Sequence, residues 1–67
     1  MDDFEHFRKI LIALLSDLKP VKKRCGDVVH LAQGLKDPIP SEARALKEKC
    51  DELMHATLKL EQEMREI

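Results

Sequence analysis

The sequence predicts an all-α fold: an antiparallel helical hairpin, coiled-coil-like and kinked at Pro20, that pairs into a four-helix bundle. A compact three-helix bundle is the alternative. Three observations point there. Apolar residues recur at alternating steps of three and four along most of the chain. One proline-flanked stretch, Lys-Asp-Pro-Ile-Pro-Ser at 36–41, divides that pattern in two. The composition is aliphatic and charged (43% hydrophobic, 37% charged), with only two aromatic residues, Phe4 and Phe7, and two glycines. Such a mix belongs to long helices and coiled coils.

The first series runs Phe4, Phe7, Leu11, Leu14, Leu18, Val21, Cys25, Val28, Ala32, Leu35, and every member is apolar. A repeat of about 3.5 residues held this long predicts a seam against another helix. The predicted helix spans about 3–35. Asp2 is placed to cap it, with Glu5 three residues on in capping-box fashion, and Gly34 to close it in a left-handed conformation.

Pro20 tests this helix. With Phe4 at heptad position a, Pro20 and Gly34 fall at c and Gly26 at b, all away from the seam. Proline removes one donor and crowds the carbonyl one turn back, so the backbone opens on the proline side. Long helices curve with their solvent side convex, and an outward Pro20 bends this one in that sense. The expectation is a continuous helix. A break over 19–26, with Asp27 capping a short middle helix, is the rival.

The loop is expected at 36–41, because prolines 38 and 40 each force extended backbone before them. Ser41 then serves as N-cap of a second helix over about 42–67, with Glu42 near the positive end of its dipole. Its series is Ala43, Leu46, Cys50, Leu53, Thr57, Leu60, Met64, Ile67, with Thr57 the single polar member. A short loop makes the helices antiparallel neighbours. Both rows of each series are expected to lie in the seam.

The apolar stripe is wider than two helices need. Ile10, Ile12, Leu15, Val29 and Leu31 flank the first seam, and Met54 and Leu58 the second. A chain of 67 residues is also marginal on its own. Both points call for a partner: a second copy, giving a homodimer, or a helical partner protein. The expected interface residues are Phe4, Phe7, Ile10, Leu11, Leu14, Leu15, Leu18 and Leu58. The two rings and Ile10 are its anchors, since they sit at the open end beyond the reach of the shorter helix.

Several motifs carry chemistry in other settings. Cys25/His30 and Cys50/His55 are two Cys-x4-His units, a zinc set by residue type. Five helical residues rotate a side chain by about 140°, so the cysteines face the seam and the histidines face out. No metal site is expected, and no cofactor. A turn near residue 38 sets Cys25 and Cys50 about one helical turn apart, too far for an unshifted disulfide. Two buried, reduced thiols suit an intracellular, cytoplasmic or nuclear, protein. Leu11–Leu15 matches a Leu-x-x-Leu-Leu docking pattern, but its leucines are already claimed by the seam. The acidic residues of the second helix, Glu61 among them, are expected on a solvated face.

Lys19, Lys22, Lys23 and Arg24 form a basic cluster, a possible phosphate or partner contact. No aromatic side chain lies nearby for base stacking, and net charge is -1. Catalysis is not expected, because no set of titratable residues converges. The acidic N-terminus is unlike a signal peptide, and no apolar run nears the ~20 residues of a membrane span. Leu-Glu-Gln-Glu-Met-Arg-Glu-Ile at the C-terminus stops in mid-register, so the chain is expected to be the N-terminal part of a longer protein. The expected function is oligomerisation or scaffolding through the apolar seam. The alternative is a dimeric nucleic-acid-associated regulator using Lys19–Arg24.

Overall fold

The computed structural model describes residues 3–66, and within them the chain forms two helices packed against each other with no strand. Helix α1 covers Asp3–Ala32 and helix α2 covers Ile39–Arg65. The hairpin is a thin slab with extents of 53 × 16 × 12 Å.

Helix α1 opens with Asp3 and Glu5 in its first turn, charges that complement the positive end of the helix dipole. It continues through Pro20. Pro20 is exposed, so the Ser16 carbonyl that loses its helical donor lies on the water side. The Asp2 cap and the Ile67 seam position lie outside the described residues.

Both inner boundaries differ from the sequence expectation. Helix α1 ends at Ala32 rather than near Leu35, and Gly34 does not adopt a left-handed backbone. Hydrogen bonds from Gln33 N to His30 O (3.4 Å) and from Leu35 N to Ala32 O (3.0 Å) close the end instead. Helix α2 starts at Ile39, with Pro38 at the N-cap position and no side-chain cap. Ser41 is therefore inside the helix and is not its cap. The reason is that the first four amides of a helix have no intrahelical acceptor, so a proline there sacrifices nothing. Pro40 belongs to the first turn rather than to a blocking loop, and the first helical bond runs from Glu42 N to Pro38 O at 3.0 Å.

The core is a single row on each helix. Leu11, Leu18, Cys25 and Ala32 are buried on α1, and Ala43, Cys50 and Thr57 on α2, each seven residues from the next. Glu61 completes the buried set. The intervening row is not in the seam: Phe7, Leu14, Val21 and Val28 on α1, and Leu46, Leu53 and Leu60 on α2, are exposed. This corrects the expectation that both rows fill the contact. Ala, Cys and Thr line the α2 side, and α1 tapers from Leu to Cys to Ala toward the turn. Helix separation is set by side-chain size at the contact. On α2 the small residues let the two helices meet along one row, and Leu46, Leu53 and Leu60 are displaced to the flank.

The seam satisfies its polar members. Thr57 Oγ1 donates to Leu53 O at 2.7 Å, within its own helix. Glu61 Oε2 accepts a 2.7 Å hydrogen bond from Arg65 Nε. No buried side-chain nitrogen or oxygen among the described residues lacks a partner.

Candidate functional site

The displaced row forms a surface of its own. Val28 and Leu46 border one shallow groove beside Ala32 and Ala43, of about 300 Å³. Val21 and Leu53 border the next, of about 250 Å³, whose floor is Leu18, Cys25 and Cys50. Leu14 and Leu60 continue the stripe toward the open end, and Phe7 lies beyond them, all three at heptad spacing along the same rows. The result is one apolar face running along the hairpin. The opposite face is shorter and more mixed: Ile12, Leu15, Met54 and Leu58 share a groove of about 480 Å³ with Lys19, Glu61 and Arg65.

The expected interface residues divide between these places. Leu11 and Leu18 are buried in the hairpin's own seam, so they hold the two helices together. Leu14 and Phe7 lie on the displaced row. Leu15 and Leu58 line the opposite groove. Phe4, Phe7 and Ile10 are exposed near the open end, at 45%, 45% and 55%. The Leu-x-x-Leu-Leu stretch is thereby split, with Leu11 buried, Leu14 exposed and Leu15 half-buried.

Lys19, Lys22, Lys23 and Arg24 are all exposed. Lys22 borders a small groove with Asp51, Met54 and His55, so part of the cluster faces acidic surface of its own chain. Among the described residues no group of three or more His, Cys, Asp or Glu side chains is arranged to hold a metal ion. No helix described is long and apolar enough to cross a membrane.

The two cysteines are closer than their spacing suggested. Both are free and buried, and they lie on one groove from opposite helices. The Cys50 thiol is pushed above its ordinary pKa, first by burial, then by a hydrogen bond with the Cys25 thiol and by the nearby Cys25 and Asp51 charges; Lys22 opposes the shift.

Glu61 is the residue that hydropathy hides. It is 4% exposed rather than solvated. Arg65 binds it from one turn on, and Arg8 Nε of α1 lies 3.9 Å from the same Oε2. The i,i+4 pairing with Arg65 is visible in the sequence, whereas the approach of Arg8 depends on the hairpin register. Set against known proteins, the chain matches no family model, no curated protein and no solved structure.

Proposed function

We propose that this chain is an oligomerisation module, in which two hairpins pair through the displaced row to make an antiparallel four-helix bundle. The observation that carries this reading is the row itself: Phe7, Leu14, Val21, Val28, Leu46, Leu53 and Leu60 are large, apolar, exposed and heptad-spaced. Scattered apolar residues on a surface need no explanation, but a contiguous stripe does.

Two quantities favour a second copy as the occupant. The stripe from Phe7 to Val28 runs through 21 residue steps of helix, about 30 Å, a length that a second copy of the hairpin can cover. The hairpin's own core is also slight, with no fully buried side chain among the described residues. Pairing along the stripe supplies a second seam of leucine and valine, on the knobs-into-holes pattern of four-helix bundles. A phosphate-binding role for Lys19–Arg24 has only the exposure of those side chains behind it.

The test is a pair of substitutions read by light scattering after gel filtration. Leu53→Glu places charge in the stripe and converts dimer to monomer. Leu58→Glu, on the opposite face, leaves the dimer intact. A dimer that survives Leu53→Glu and is lost with Leu58→Glu assigns association to the other face and refutes the proposal.

A further inference from the structure

We infer that Cys25 and Cys50 are a modification site: they form an intrachain disulfide that staples α1 to α2, made by exchange with a small-molecule disulfide of the glutathione class. The geometry carries this. The cysteines occupy the buried row of opposite helices, and both thiols border a single groove. They reach that groove from opposite helices, Cys25 from α1 and Cys50 from α2. Joining them requires side-chain rotation, not a change of register. Their neighbours along the row on the turn side, Ala32 and Ala43, are too small to hold the backbones apart. Disulfides require Cα atoms within roughly 4.4–6.8 Å, which facing positions of a close-packed seam supply.

The groove also gives access. Val21, Leu46 and Leu53 form its apolar rim, and Lys49 also lines it. A lysine there attracts an anionic disulfide reagent. The exchange balances in two steps. The thiolate of one cysteine attacks the reagent disulfide, forming a mixed disulfide and releasing one small thiolate. The other cysteine, deprotonated, attacks the protein sulfur of that adduct and releases the second. The protein loses two protons and two electrons, and one reagent disulfide becomes two thiols. Because burial and Cys25 keep the Cys50 thiol protonated at neutral pH, exchange accelerates as pH rises.

This site does not depend on the oligomeric reading, since both cysteines belong to one hairpin. The test is equilibration of the full chain in a glutathione redox buffer, native and in denaturant, with acid quench, alkylation and intact-mass measurement. The expected product is monomer-mass chain lighter by two hydrogens. Its equilibrium constant is at least tenfold larger in native buffer than in denaturant, because the fold presents the thiols to each other. Cys25→Ser and Cys50→Ser each abolish it. Cross-linked dimers or glutathione adducts as the main native product would overturn the assignment, as would equal constants in the two conditions.

Discussion

Arg65 Nε donates a 2.7 Å hydrogen bond to Oε2 of Glu61, and the pair straddles the surface: Glu61 is enclosed while Arg65 stands mostly in solvent. Arg8 approaches the same oxygen from α1. Both arginines are free to rehydrate when the carboxylate is lost. Glu61→Ala forfeits packing and a charge-assisted bond, and should cost about 1–3 kcal/mol. Glu61→Leu restores apolar volume without leaving a buried charge behind, and should be near neutral or stabilising. Urea unfolding followed by circular dichroism separates the two. Equal losses would show that charge, not volume, is what the site needs.

The single-row seam makes size the critical variable. Ala43→Leu inserts bulk where α2 meets α1 near the turn, and should destabilise by about 1–3 kcal/mol. Thr57→Val keeps the volume and removes a hydroxyl bonded only to its own helix. Its cost should stay within about 1 kcal/mol. Thermal melts of the two variants check this order.

Leu18 and Leu14 should behave differently although both belong to one heptad series. Leu18 is 5% exposed and Leu14 37%. Leu18→Ala opens the hairpin core, at a cost of about 2–5 kcal/mol. Leu14→Asp should act on association: under the proposed pairing the wild-type melting temperature should rise with protein concentration, and that dependence should disappear in the variant. A concentration dependence unchanged by Leu14→Asp would remove Leu14 from the interface.

Stability should fall in alkali. The folded pKa of Cys50 is raised, so folding favours the protonated thiol. Its contribution is fully present below the unfolded thiol pKa, about 8.5, and is lost as pH rises through the higher folded value. Unfolding free energies measured under reducing conditions should therefore decline above that point. Cys50→Ala should flatten the decline.

Much of the fold is legible in residue spacing. The three-four alternation marks both helices, and the off-seam positions of Pro20 and Gly26 explain why α1 is unbroken. What hydropathy does not encode is size at the contact. Leu53 and Cys50 both read as apolar, yet only the small one fits between the helices, and this decides which row becomes surface. Proline is ambiguous in the same way: Pro40 reads as a breaker but is acceptable in a first turn, and that moves the loop. Glu61 escapes because a carboxylate reads as solvated, and its cross-helix neighbour Arg8 is remote in sequence. The candidate surface is thus only partly legible. Its members lie in the heptad series, but their exposure follows from Ala43, Cys50 and Thr57.

Sedimentation equilibrium of the unmodified chain under reducing conditions bears most directly on association through the exposed row. The predicted result is a particle of twice the 7.7 kDa chain mass, dissociating reversibly on dilution. A fully helical species that remains at 7.7 kDa across the micromolar range would contradict it.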